Sequence, residues 1–300
     1  MTKGIVIAGP TAVGKTGVSL FLAEMLGGEI ISADSAQIYR GLDIGTAKIT
    51  TAERRGVPHH MIDVVDLSTR FTAGDYARMV AGILSEGEAG DKPMIMTGGS
   101  GLYIRAVADG FAELPPGNPE IRKRLAGMSP EVLYGALRKH DPEAAAAIHA
   151  NNRKRVERAL EVFLLTGKPF SEISKNNRRG HNWTFLRIFL HMDRDALYAG
   201  IDRRVDEMMA RGFVQEVEKL RPKYSRYLRS LNIIGYTEIL DYLAGAMTLP
   251  ETVELIKKNS RHYAKRQFSW FVNDAHFTPY DRGTESDREV AEKIAKMYKM

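Results

Sequence analysis

Residues 9 to 16, Gly9-Pro10-Thr11-Ala12-Val13-Gly14-Lys15-Thr16, constrain this chain more than any other stretch. They follow the apolar run Gly4-Ile5-Val6-Ile7-Ala8 and precede residues 18–26, whose apolar spacing predicts a helix. A G-x-x-x-x-G-K-T run between a strand and a helix predicts a phosphate-binding loop. Gly9 and Gly14 permit the positive φ angles that turn successive N–H groups inward, the helix N-terminus adds its dipole, and Lys15 adds a full charge. Thr16 offers a hydroxyl to a divalent metal. The loop leaves open whose phosphates are held.

With 300 residues, 44% of them hydrophobic, the chain can bury a full core, as one large domain or a core with an insertion. No apolar run approaches the roughly 20 residues of a membrane span, and the N-terminus enters a strand without a signal-peptide pattern. The absence of cysteine excludes disulfides and thiolate metal sites and fits a reducing compartment. The expectation is a soluble, cytoplasmic protein with no membrane partner. Its net charge of +6 is uneven: residues 1–113 hold 10 Lys/Arg against 13 Asp/Glu, residues 114–185 hold 13 against 7, and residues 186–300 hold 20 against 17. The basic middle segment points to a polyanionic partner, with a solvated helical face as the alternative.

Residues 29–33 predict a second buried strand, and Asp34-Ser35-Ala36-Gln37-Ile38-Tyr39 leaves its C-terminal end, the edge that faces the ligand crevice in open α/β sheets. Asp34 is therefore a candidate base or metal ligand, or else a capping aspartate. His59 and His60 diverge as neighbours, and no further His or Cys lies at ligand spacing, so a metal site is not expected there. After a helix over 71–88, the strand Lys92-Pro93-Met94-Ile95-Met96-Thr97 ends without the acid of a Walker B strand, which disfavours an ordinary ATPase. Gly98-Gly99-Ser100-Gly101 makes a second glycine turn, which serves either an anion, with the Ser100 hydroxyl, or close packing.

From Leu114 the β-α alternation stops, and helices are predicted at 119–128, 130–140, 141–147, 152–165 and 170–176. In the fourth, Val156, Leu160 and Phe163 pack inward while Arg153, Lys154 and Arg158 project outward as candidate contacts to a phosphate backbone. Residues 184–192 return to a strand, followed by a helix from Asp193 to Gly212. Its Arg204 can reach a phosphate in the crevice or, like Arg203, be solvated. Further helices are predicted near Leu231-Asn232-Ile233-Ile234-Gly235-Tyr236, over 253–271 and over 287–299, with a short strand at 276–280. The expected architecture is α/β: a mostly parallel sheet flanked by helices, formed by residues 1–113 and 186–300, with an all-helical insertion at 114–185.

In this order the motifs resemble the tRNA dimethylallyltransferase family. The resemblance is carried by the loop at 9–16, Ser32-Ala33-Asp34-Ser35 with Gln37 and Tyr39, Gly45-Thr46-Ala47-Lys48, Pro58-His59-His60, Gly98-Gly99-Ser100-Gly101-Leu102-Tyr103, Arg158-Ala159-Leu160-Glu161-Val162, Gly235-Tyr236 and Ala264-Lys265-Arg266-Gln267. It implies a P-loop NTPase-like core in which residues 9–16 bind dimethylallyl diphosphate, with Mg2+ at Thr16 and no ATP consumed. It implies that Asp34 is the base for the N6 amine of the adenosine 3′ to the anticodon, in tRNAs reading codons that begin with U, and that Ser100 and Arg204 assist. It places tRNA contacts at Asp34, Ser35, Ala36, Gln37, Arg122, Lys154, Arg155 and Arg158, on a monomer gripping the anticodon stem-loop. Ser100 stands where the family usually has threonine, Ile49 replaces a usual proline, and Asn151-Asn152 departs from Asn-Asp. Eukaryotic relatives carry a C-terminal zinc finger; with no cysteine in the sequence, the resemblance implies the compact bacterial type. A small-molecule P-loop kinase and a nucleotide-switched RNA-binding protein are the alternatives.

Overall fold

The computed structural model describes residues 2–110, 114–176 and 183–300. Strand β1 (Thr2–Ala8) enters the loop and α1 (Lys15–Leu26), followed by β2 (Glu29–Ser32), β3 (His59–His60), α2 (Ala73–Ala89), β4 (Met94–Gly98) and α3 (Gly101–Ala108). Five helices come next: α4 (Pro119–Ala126), α5 (Pro130–His140), α6 (Pro142–Ala147), α7 (Arg153–Thr166) and α8 (Phe170–Asn176). The chain then forms β5 (Trp183–His191), α9 (Arg194–Ala210), α10 (Phe213–Leu231), α11 (Tyr236–Tyr242), α12 (Leu249–Val272), β6 (Thr278–Asp281) and α13 (Asp287–Lys299).

The sheet runs β3-β2-β4-β1-β5-β6, with every pairing parallel. Ile5, Val6 and Ile7 of β1 and Met94, Ile95 and Met96 of β4 are fully buried. Such unbroken apolar runs are what parallel strands covered on both faces require. Registers Ala8↔Gly98 and Ser32↔Thr97 bring the C-terminal ends of β1, β2 and β4 to one edge, where the phosphate loop, Asp34 and the second glycine turn all emerge.

The chain forms two compact units, Met1–Ala108 with Asn182–Met300, and Asp109–His181. The expected breaks at 113/114 and 185/186 lie a few residues later. Glu113 is outside the described residues, and the second break falls inside β5, where Trp183, Thr184 and Phe185 pair with Thr2, Lys3 and Gly4. The helical unit closes around Leu125, Leu133, Leu137, Val156 and Leu160. Its first three helices begin with proline behind the caps Asn118, Ser129 and Asp141, each accepting from backbone N–H groups.

Helix α10 was not expected. It continues through Pro222, which lacks the N–H an interior helix position uses, because Phe213, Val217 and Leu228 are buried on either side of it.

Candidate active site

The phosphate loop has the required backbone. Gly14 caps α1 at φ 92°, and a Cβ there would overlap the Arg282 guanidinium. Lys15 Nζ donates to Pro10 O at 2.7 Å, folding its ammonium back over the loop. Two distant side chains brace this cradle. Gln267, buried on α12, accepts from Thr11 N at 2.9 Å through Oε1 and donates to Gly99 O at 3.0 Å through Nε2. Arg282 donates to Val13 O at 2.8 Å and pairs with Asp287 at 2.9 Å. Gln267 belongs to a motif of the resemblance but carried no role there, and Arg282 was not singled out by any sequence pattern.

The second glycine turn resolves toward packing. A Cβ at Gly98 would overlap the Ala33 backbone, at Gly99 the Gln267 amide and at Gly101 the Trp270 indole. Ser100 Oγ accepts from Ser35 N at 3.0 Å, and Ser100 N donates to Ala33 O at 3.0 Å, so this turn is stitched to the segment that carries Asp34.

Asp34 Oδ1 accepts from Ala36 N at 2.8 Å and Gln37 N at 3.4 Å, which is capping geometry. Oδ2 takes no hydrogen bond among the described residues, so one oxygen fixes the turn while the other is available to a proton. The carboxylate acts on several neighbours. Burial and the nearby Arg204 push the Lys15 ammonium down to about 7, against the pull of Asp34. Burial likewise pushes Arg204 down, with Asp34 and Glu207 opposing. Tyr263 is pushed up to about 12 by burial and by Asp34, while hydrogen bonding to Ser100 and Gln267 pulls the other way.

Arg204 Nη2 donates to Thr46 O at 3.1 Å, the carbonyl that also accepts from Gln37 Nε2 at 3.3 Å, and Gln37 Oε1 accepts from Ser32 Oγ at 3.1 Å. Arg203 instead is exposed and pairs loosely with Glu207. One crevice thus gathers Lys15, Asp34, Gln37, Ser100 and Arg204, together with Tyr263, to which the sequence assigned no role of its own. Its polarity fits chemistry in which a negative leaving group departs between Lys15 and Arg204 while a proton moves to Asp34.

The loop 41–48 is locked from below. Buried Lys48 donates to Tyr39 O at 2.9 Å and pairs with Asp43 at 2.7 Å and Asp63 at 2.6 Å. The Glu216 carboxylate accepts from Asp43 N at 3.1 Å, Ile44 N at 2.7 Å, Gly45 N at 3.2 Å and the Tyr236 hydroxyl at 2.6 Å. His60 pairs with Glu29 at 2.7 Å, and His59 Nδ1 donates to Val57 O at 2.8 Å. Thr16 is exposed at the start of α1, and no cluster of three His, Asp or Glu side chains able to hold a metal exists among the described residues. That donor set fits a hard cation which takes Thr16 Oγ1 and fills its shell with phosphate and water oxygens, as Mg2+ does.

In the helical unit the basic residues separate into two groups. Arg122 Nε and Nη2 bind Glu161 at 2.7 and 3.0 Å, and Arg158 binds Glu161 at 2.6 Å and Pro115 O at 2.8 Å. Glu161 is 1% exposed; burial pushes its carboxyl up, but the two guanidiniums and Asn118 N–H outweigh that and hold it below the usual range. Arg153 pairs with Glu157 and donates to Leu125 O, Ala126 O and Met128 O. Arg153 and Arg158, expected to project outward, are only partly exposed: with Arg122 they satisfy the buried Glu161, Glu157 and backbone carbonyls. Lys154 and Arg155 are exposed and make no ion pair among the described residues.

A family model described as IPP transferase matches residues 37–274. The chain is 46% identical over 298 residues to the tRNA dimethylallyltransferase of Fusobacterium nucleatum, covering 99% of this chain and 98% of that protein. It is 44% identical over 295 residues to that of Bacillus subtilis, covering 96% and 94%. Among solved structures, the full-length tRNA isopentenylpyrophosphate transferase of Bacillus halodurans matches with a TM-score of 0.74 at 41% identity, over 99% of this chain and 95% of that one. A eukaryotic dimethylallyltransferase acting on tRNA matches with a TM-score of 0.85 at 29% identity, over 98% of this chain and 78% of that one.

Proposed function

The chain belongs to the tRNA dimethylallyltransferase (IPP transferase) family, and from that premise we propose that it moves the dimethylallyl group of dimethylallyl diphosphate onto N6 of the adenosine 3′ to the anticodon of tRNA. The observation that carries this reading is Asp34, one oxygen uncommitted, facing Lys15 and Arg204 across a phosphate loop.

An aromatic amine is a weak nucleophile because its lone pair is delocalised into the ring. As N6 forms its bond to C1 of the allyl group, the C1–O bond breaks and its electron pair leaves with diphosphate. Asp34 Oδ2 takes the N6 proton, while Lys15, the loop N–H groups and Arg204 receive the developing negative charge. Ser100 holds the Asp34 segment through Ser35 N, and Gln37 shares the Thr46 carbonyl with Arg204. Mg2+ held by Thr16 and the diphosphate oxygens would supply further charge neutralisation on the leaving group. The base must be turned out of its stack to reach Asp34, and exposed Lys154 and Arg155 are suited to hold the RNA backbone meanwhile. The reading requires one chain only.

Asp34→Asn tests the assignment. Asn keeps the size and the capping oxygen but cannot take the proton, so single-turnover transfer at saturating substrates should fall roughly 10²–10⁴-fold with both substrates still bound. Near-normal transfer would reduce Asp34 to a cap, because Asn caps about as well as Asp. Lost diphosphate affinity with rescue by excess Mg2+ would make Asp34 a metal ligand instead.

A further inference from the structure

Helix α10 carries five cations between Lys219 and Arg229, with no acidic residue in that span. Two are tethered: Arg221 donates to Leu243 O at 3.1 Å, and Arg229 pairs with Asp241 at 2.8 Å. The other three, Lys219, Lys223 and Arg226, are exposed and make no ion pair among the described residues. Steps of four and three residues keep these three within roughly 60° of one another around the helix, so they form one stripe opposite the buried Val217 and Leu228.

Tyrosines steady this stripe. The Lys223 ammonium lies 4.7 Å from the Tyr224 ring centre, and the Arg226 guanidinium lies 5.2 Å from that of Tyr227. Tyr224 is itself anchored, its hydroxyl donating to Asp66 Oδ2 at 2.7 Å. The helix is also tied to the crevice. Glu216, one turn before Lys219, holds the backbone of Asp43, Ile44 and Gly45, and the next carbonyl, Thr46 O, receives Arg204 and Gln37. Leu220 lies beside Gly41. At 1.5 Å per residue the stripe spans about 10 Å along α10 from Lys219 to Arg226, beginning about 5 Å beyond Glu216.

Three exposed cations on one helix face, with no ion pair among the described residues, tyrosine rings beside two of them and the wall of the crevice at their start, match a polyanion threaded past that crevice. We propose that Lys219, Lys223 and Arg226 form a second RNA-binding surface that grips the phosphate backbone of the tRNA outside the nucleotide being modified. The proposal rests on the transferase reading. It assigns α10 a positioning role, since none of the three cations touches the reacting atoms.

The test replaces Lys219, Lys223 and Arg226 with alanine together. All three are exposed and alanine favours helix, so the fold should persist, which an unchanged melting temperature checks. Equilibrium binding of unmodified tRNA is titrated over a salt series, beside single-turnover transfer at saturating tRNA. The expected result is weaker binding at low salt, with a log–log salt slope reduced by roughly 0.7–0.9 for each phosphate no longer neutralised, and an unchanged transfer rate at saturation. Unchanged affinity and slope in a variant whose parent prenylates tRNA would overturn the surface alone. A parent that neither binds nor prenylates tRNA would overturn the functional reading and the surface with it. If the parent sediments with anionic phosphatidylserine vesicles through these residues while tRNA binding is unaltered, the stripe serves a membrane surface and the proposal is wrong.

Discussion

Lys15 titrates at about 7 because burial and Arg204 disfavour its ammonium more than Asp34 favours it. The unfolded chain holds that proton until about 10.4, so between the two values it binds more protons than the folded chain, and stability gains from this group as pH rises through that window. Below about 7 the destabilisation is complete. Lys15→Met should therefore raise the melting temperature at pH 6, by an order of a few degrees, and much less at pH 10. The same substitution should weaken dimethylallyl diphosphate binding, and in the parent that affinity should decline as pH rises past 7 and the ammonium is lost. Calorimetric melting and ligand titration at both pH values check the pair, and a variant no more stable at pH 6 would contradict a burial penalty on this ammonium. What was legible at this scale was local: the loop spacing and the position of Asp34 after a strand. Gln267 and Arg282 hold the loop from 256 and 269 positions away; the first lies in a recognisable motif and the second does not, but nothing near either in sequence says which carbonyl or amide it will meet.

Helices and loops carry the next consequences. Glu216 satisfies three backbone N–H groups of the loop whose Thr46 carbonyl positions Arg204 and Gln37. Glu216→Ala should let that loop shift and lower single-turnover transfer roughly 10- to 100-fold, with diphosphate affinity nearly kept because Gln267 and Arg282 brace the cradle independently. Glu216→Gln, which retains a carbonyl acceptor, should recover part of the rate; equal rates in parent and alanine variant would contradict the coupling. In the helical unit, Glu161→Ala leaves Arg122 and Arg158 without their acid, at a cost of up to about 3 kcal/mol in thermal or chemical unfolding, the low end for a buried pair because both guanidiniums are about one-third exposed. Lys154→Ala with Arg155→Ala should leave stability unchanged while flattening the salt dependence of tRNA binding. Loss of stability from the Lys154 and Arg155 double variant and none from Glu161→Ala would reverse the proposed division between structural and RNA-binding cations. Sequence periodicity found α7 and its buried face. It could not tell which arginines were committed, since Glu161 meets Arg122 from 39 positions away. Helix α10 escaped because Pro222 reads as a stop, although tertiary burial of Phe213, Val217 and Leu228 overrides it.

At the scale of the molecule, the sheet was readable because parallel strands buried on both faces must be continuous apolar runs, and β1 and β4 are. No described helix is long and apolar enough to cross a membrane. One unit, Met1–Ala108 with Asn182–Met300, contains both the phosphate loop and Asp34, so the proposed leaving-group binding and proton removal would share a single sheet edge. The strand that would carry a Walker B acid ends instead in Thr97 and Gly98, the latter packed against Ala33. On the proposed reading, a cradle without that acid, set opposite a base, releases diphosphate from an organic donor and does not spend ATP. The most direct measurement is the mass of unmodified tRNA after incubation with the chain and either dimethylallyl diphosphate or ATP. A gain of one C5 unit on the adenosine 3′ to the anticodon is expected with the first donor, and no modification or ATP turnover with the second. A product that forms only with ATP, or tRNA of unchanged mass with both, would contradict this chemistry.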